Sequence, residues 1–456
     1  MNMRARLGTL VVVLCAVNVL VALDFLGASV LLDPIGHDLH MSTAELAWVV
    51  NGYLLTLAAP LIAVGRAADR FGAVRLTRWG LLAFAAGALV TGLAPTAEVL
   101  VLGRMVQGFG ASILAATGLT LVNASAAPDD RGRVVGIWAG VGAVGSAAGP
   151  LVAGLIEAAS VWRVFFLIDV PIALLVAWLL RREADNPADR SMEPIGARAV
   201  GALTIGLGLG VFAVLQAPES GWWSVPVVGA GAGAVVLLAW FAWEEHSASR
   251  PLLDRRLFEQ GRYTAIAVTA FVGNAAFAVV AFFASLYLQQ VLDLDAVEAG
   301  AVFLAMTIPL MVLSPIAGAA TRRMRANRLM AGGLMVVGVS VMLFAALGTQ
   351  TGLVVVVVAL ALSGIGQAFV FNVSNVAAMS SVDSAGGGLA SGVINEVRQL
   401  GALIGLAAVG AAFAGIQHAA GGDHASGFVH ALRAPSIALA VVCVVAGLVV
   451  ARSEPT

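Results

Sequence analysis

Five ionisable side chains stand inside long apolar runs of this sequence: Asp24, Arg104, Asp169, Glu396 and Arg398. A charged group at the centre of a bilayer costs roughly 2.5–3.5 kcal/mol on insertion scales, so each is a candidate for function. Burial disfavours the charged form of a carboxyl group, and a carboxyl whose exposure alternates can therefore take up and release a proton. Asp24 is placed for that role; the competing reading is a carboxylate paired with backbone or an Arg. Arg104, Gln107, Gly108 and Ala111 fall at i, i+3, i+4 and i+7, on one helical face. The small residues admit a neighbouring helix, and the guanidinium needs a carboxylate or carbonyl partner. Asp169 reads either as a second titrating site or as a partner for Arg163, although six residues is a poor spacing for contact on one helix. Glu396 and Arg398 are two positions apart and point to different faces. Glu396 reads equally as a cavity-facing proton site or counter-ion and as an ion pair near the membrane surface.

Other chemistries find little footing. No phosphate-cradling Gly-rich loop follows a strand, so ATP is not expected to drive the protein directly. No Ser-His-Asp set or metal-ligand spacing argues for an enzyme, a metal or a cofactor, and the expectation is none of the three. His418, His424, His430 and Asp423 are read as a polar loop. Cys15 and Cys443 both sit in apolar runs and are read as small buried side chains.

The elements that must hold these residues are membrane helices. Of 456 residues, 60% are hydrophobic and 11% charged, against roughly 25% charged in soluble domains. The bilayer must therefore be the solvent for most of the chain. Windows of about 20 apolar residues place fourteen spans at 8–32, 45–65, 77–94, 99–122, 134–156, 161–180, 198–216, 225–243, 263–289, 298–319, 329–347, 352–377, 389–416 and 431–451. Arg placement orients them. Arg66, Arg70, Arg75 and Arg78 share one loop, and Arg131 with Arg133 the next on that side. Arg-rich segments recur around 181–198, 250–262 and 322–328, while the loops between are nearly Arg-free. The loop at 379–388, with Asp383 and no Arg, breaks the pattern. Both termini are expected in the cytoplasm.

Three motifs on consecutive spans resemble the signatures of the major facilitator superfamily. The first is G-x-x-x-D-R-x-G at Gly65, Asp69, Arg70 and Gly72; the second is R-x-x-Q-G-x-G-A from Arg104; the third is a Gly-rich helix with Gly142, Gly145, Gly149 and Pro150. Leu23, Asp24, Val30, Leu32 and Ile35 are similar to a first-span motif of that superfamily's fourteen-span drug:proton antiporters. Arg398, Gln399 and Gly401 resemble their R-Q-x-G segment. Trp162, Arg163, Phe166 and Pro171 resemble a further segment, in which Asp169 stands where Asn is usual.

The resemblance implies an all-α membrane protein built as two six-helix bundles, 1–190 and 251–456, with two extra central spans in 191–250. It implies proton coupling through Asp24 and Arg104, a conformational latch at Gly65, Asp69, Arg70 and Gly72, and helix packing linked to antiport at Gly142, Gly145, Gly149 and Pro150. Glu396 and Asp169 are the further proton-coupling candidates. Asn274 and Phe277 on an aromatic ninth span, with Arg398 and Gln399, are the expected cavity residues. The expected activity is export of hydrophobic drugs or antibiotics in exchange for protons, by a monomer in the bacterial cytoplasmic membrane, with no nucleic acid involved. The alternatives are a proton-coupled carrier of a polar metabolite and a non-transporting sensor on the same scaffold.

Overall fold

The computed structural model describes residues 3–125, 131–159, 161–182, 197–247, 261–380, 387–420 and 424–453. These form sixteen α-helices and one short 3₁₀ turn, Leu180–Arg182, with no strand among the described residues. The first eight are α1 (Met3–Val30), α2 (Leu32–Leu39), α3 (Thr43–Ala58), α4 (Leu61–Phe71), α5 (Ala73–Gly92), α6 (Ala97–Ser125), α7 (Arg131–Ala159) and α8 (Trp162–Leu179). Then come α9 (Ala197–Ser220) and α10 (Val225–Ser247). The last six are α11 (Gly261–Gln290), α12 (Ala296–Ala320), α13 (Ala326–Ala345), α14 (Leu353–Ser380), α15 (Gly387–Ala420) and α16 (His424–Arg452).

Thirteen of these helices are long and apolar enough to cross a membrane. The span expected at 45–65 is divided into α3 and α4 around Ala59 and Pro60. Proline lacks an amide proton and its ring crowds the preceding turn, so a helix bends or breaks there. Neither piece is long enough alone, yet both pack along α6. The short α2 was not anticipated; it begins at Leu32, where the expected first span ends. The expected domain boundaries, at 190/191 and 250/251, and the exceptional Asp383 all fall outside the described residues.

Local sequence sets the helix ends. Ser42 caps α3 by accepting the Glu45 amide, and the Glu45 carboxylate accepts the Ser42 amide at 2.7 Å. Asp295 and Glu298 form the same reciprocal pair at α12. Each satisfies helix-end donors that otherwise lack partners. Gly72 turns the chain between α4 and α5 at φ 95°, in the left-handed region that favours glycine.

Packing places the site. α1 pairs with α7, α5 with α6 and α8, α11 with α15, and α13 with α14 and α16. α9 packs on α10, α3 and α15. The Gly-rich face of α7 lies on α1: a methyl at Gly149 would sit 2.6 Å from the Leu23 carbonyl, and one at Gly145 2.9 Å from Val19. The same helix meets α12, where a methyl at Gly300 would lie 2.5 Å from the Pro150 carbonyl. Close approach through small residues is how membrane helices associate without a hydrophobic driving force. At the Asp33 end, α1 and α2 are tied directly to α11. Gln289 Nε2 donates to the Val30 carbonyl at 3.0 Å and Gln290 Nε2 to Asp33 Oδ1 at 2.8 Å. Asp33 is thus engaged by a helix more than 250 residues away in sequence.

Candidate functional site

Three helices bring their buried charges to one point. Arg104 Nη1 donates to both oxygens of Asp24, at 3.0 and 2.9 Å, and to Gln107 Oε1 at 2.8 Å. Its Nε donates to the Val49 carbonyl at 3.4 Å. Gln107 Nε2 donates to Asp24 Oδ1 at 3.0 Å and to Asp169 Oδ2 at 3.4 Å. The guanidinium plane is flanked by the Tyr53 ring at 4.4 Å and the Phe166 ring at 5.4 Å. All four polar residues are at most 2% exposed. Asp24 is six residues before the end of α1, and Arg104 and Asp169 are seven after the starts of α6 and α8. At 1.5 Å per residue all three lie roughly 10 Å in from the same end.

The cluster contains two carboxyl groups and one guanidinium. With both carboxyls ionised it carries a net negative charge out of reach of water, which the low-dielectric interior disfavours. One proton makes it neutral. Gln107 bridges the two carboxyl groups through its Nε2.

Arg104's carboxylate partner, Asp24, stands 80 residues away in sequence, and its carbonyl partner, Val49, 55 residues away. Asp169 and Arg163, one alternative pairing, are not joined. Arg163 donates to Asp38 on α2 and to the Ala94 carbonyl at 3.0 Å, and Trp162 Nε1 donates to Asp38 at 3.1 Å. The Arg163 guanidinium holds the Asp38 carboxyl below the usual carboxylate range, with burial opposing it and Trp162 assisting. A lowered native value means that this tie stabilises the fold above the unfolded carboxylate pKa of about 3.9 and loses that effect as pH falls further. Asp38 is 45% exposed, so solvent screening keeps the contribution below about 1 kcal/mol.

Sequence reasoning marked Gln107 as a motif position without giving it a role; its i+3 spacing from Arg104 was the available signal. Tyr53 went unmarked and Phe166 was marked as a motif position only, since an aromatic in an apolar run carries no local sign that a guanidinium lies on it. Gly108 explains how Tyr53 reaches Arg104: a methyl there would run into the Tyr53 carbonyl. Gly108→Ala is expected to push α3 from α6 and destabilise the protein by about 1–3 kcal/mol, read as a lower melting temperature in detergent. An unchanged melting temperature would show that the two helices can part freely.

The other expected residues are dispersed. Arg70 lies over the Phe71 ring at 5.4 Å, while the Asp69 side chain is outside the described ones, as are those of His418 and His424 and the whole of Asp423. Phe277 is buried in the apolar core. Farther along α11, Phe282 and Phe283 pack edge-on, and Phe283 meets Phe413 and Phe428. Asn274 Nδ2 donates to the Arg398 carbonyl at 3.0 Å. Glu396 and Arg398 are each 4% exposed on α15, and Gln399 is half-buried.

Stacked apolar helices around a buried ion cluster define a multi-pass membrane protein. Residues 14–406 match the family model of the Major Facilitator Superfamily. The chain belongs to that superfamily, whose members are transporters and not enzymes. It is 30% identical to the methylenomycin A resistance protein of Streptomyces coelicolor, over 88% of this chain and 85% of that one. It is 30% identical to the multidrug resistance protein Stp of Mycobacterium tuberculosis, over 87% and 74%, and 31% identical to the multidrug efflux pump LfrA of Mycolicibacterium smegmatis, over 86% and 78%. The fold is similar to that of the peptide transporter POT solved in complex with sulfate, with a TM-score of 0.70 at 15% identity, covering 99% of this chain and 97% of that one.

Proposed function

We propose that the protein is a proton-coupled antiporter that exports a hydrophobic organic compound from the bacterial cytoplasm by alternating access. The observation that carries this reading is the buried Asp24–Arg104–Gln107–Asp169 cluster, which is neutral with one proton bound. Release of that proton and entry of the next would each require the cluster to meet water on one side at a time. The drug-resistance and efflux names of the relatives support export of a small organic solute. A small void between α1, α3 and α11 is lined by Phe25, Leu26, Val50, Ala278 and Phe282, with Ser29 its polar contributor.

In this reading α3 and α4 together make one broken span, which brings the total to fourteen. α1–α8 and α11–α16 are the two six-span bundles, and α9 with α10 is the inserted pair. Arg placement puts the Arg70 end in the cytoplasm, so the ties from Gln289 and Gln290 shut the outer end, and Gly65, Asp69, Arg70 and Gly72 form the latch on the inner side. A reporter fused after Thr456 is expected to report a cytoplasmic location; an external one would mean that an odd number of spans is misassigned. The function is tested with purified protein in liposomes carrying a pH gradient and a hydrophobic dye. Uphill dye movement with matched proton movement, both abolished by a protonophore, is expected. Dye movement indifferent to the gradient overturns the coupling.

A further inference from the structure

Among the described residues, two membrane-embedded guanidinium groups are buried, in opposite surroundings. Arg104 faces the carboxylate of Asp24. Arg398, 4% exposed on α15, is held by neutral amides: Nη1 donates to Asn395 Oδ1 at 3.2 Å and Nη2 to Asn375 Oδ1 at 2.9 Å. One face lies on the Phe371 ring, 4.0 Å from its centroid. Its Nε–H has no hydrogen-bond partner. Beside it, Asn274 is fixed by its bond to the Arg398 carbonyl and accepts from Gln367 Nε2 at 3.2 Å, while Gln367 Oε1 is also without a partner.

Amide oxygens and an aromatic face orient a guanidinium, but they leave its full charge uncompensated. An Arg held this way inside a bilayer is costly, and an unmade hydrogen bond from a buried charged donor adds to the cost. Both are relieved by an anion with an acceptor oxygen. The unpartnered Nε–H supplies the missing bond, and the amides keep the fork from collapsing onto a neighbour. We propose that Arg398 is the docking point for an anionic group on the exported compound, so that the cargo is a hydrophobic organic acid. The proposal rests on the exporter reading and narrows its substrate class. The acid group would meet Arg398, and the apolar body would extend along the aromatic and aliphatic side chains of α11 and α14. The positive charge also opposes cationic compounds at this position, which is selectivity by repulsion.

The shared chemistry is a monoanion, which the cargo or a free inorganic ion could supply. The test uses the full chain in nanodiscs at neutral pH without a gradient, with empty nanodiscs as control. Two fluorescent probes are compared, pyrenebutyrate and its uncharged carboxamide, in sodium gluconate and in sodium chloride. The parent is expected to bind the acid about tenfold or more tightly than the amide, with the same ratio in both salts. Arg398→Gln should bring the ratio close to one, and Arg398→Lys should leave an intermediate value. A parent ratio near one overturns the proposal. If chloride then raises the melting temperature of the parent but not of Arg398→Gln, the site belongs to a free anion. A fall in both affinities at constant ratio in Arg398→Gln assigns Arg398 a structural role and also overturns it. Because no gradient is present, the two readings separate. Gradient-driven dye export with a ratio near one sinks only the acid subsite; a tenfold ratio without gradient-driven movement sinks only the coupling.

Discussion

Asp24→Asn is expected to abolish substrate-driven proton movement in proteoliposomes while the protein remains folded. The parent cluster needs a proton to balance two carboxyls against one guanidinium. The variant has one carboxyl and one guanidinium, is neutral without a proton, and so has none to exchange. Asn keeps one acceptor oxygen for Arg104, so the loss of stability should stay near about 1–3 kcal/mol. Asp24→Asn combined with Asp169→Asn removes both counter-charges and strands Arg104. Breaking a buried ion pair from one side costs about 3–5 kcal/mol, so the double variant should melt well below either single one, by more than the sum of their effects. Melting in detergent and proton flux at fixed protein amount check both halves. A single variant that still moves protons would remove Asp24 from the coupling role. A double variant as stable as Asp24→Asn would show that Asp169 does not take over the counter-charge.

Arg104→Lys is the second large effect. The guanidinium uses Nη1 for Asp24 and Gln107, Nε for the Val49 carbonyl, and its flat face for Tyr53. An ammonium is a compact point charge without a fork or a plane. It can keep the ion pair with Asp24 but cannot also reach Val49 or stack on the ring. pH-driven export is therefore expected to fall severely, by about tenfold or more, with solute binding partly retained. Arg104→Ala leaves two carboxyl groups without their cation and should lose export together with stability. Transport by Arg104→Lys at the parent rate would make Arg104 a structural charge and move the coupling to Glu396 and Asp169.

Much of the architecture is legible in the sequence because a bilayer leaves few solutions. Backbone groups in hydrocarbon must be satisfied within their own segment, so apolar runs of about 20 residues become helices. Thirteen did so individually. The exception is instructive. The run at 45–65 has the composition of a span, but Pro60 divides it, and hydropathy does not register a missing amide proton. The helix α2 was hidden for another reason: at eight residues, with Asp33, His37 and Asp38 among them, it is too short and too polar to register as a span, and Leu31 before it makes no side-chain cap.

The site was legible by residue type and illegible by partner. Asp24, Arg104 and Asp169 announced themselves because charge in an apolar run is expensive. Periodicity says which face of a helix a residue occupies and nothing about what stands opposite. Asp169 and Arg163 share a helix, yet one turns to Gln107 and the other to Asp38, because positions six apart lie on different faces. Arg104 and Arg398 look alike in sequence; the fold gives one a carboxylate and the other only amides. The sequence by itself determined that the chain lives in a membrane, where its helices run, and which charges that environment must tolerate. Only the tertiary structure decided which charges meet. That choice depends on contacts between helices far apart in the chain, and there small residues such as Gly108 and Gly149 set how closely the backbones approach.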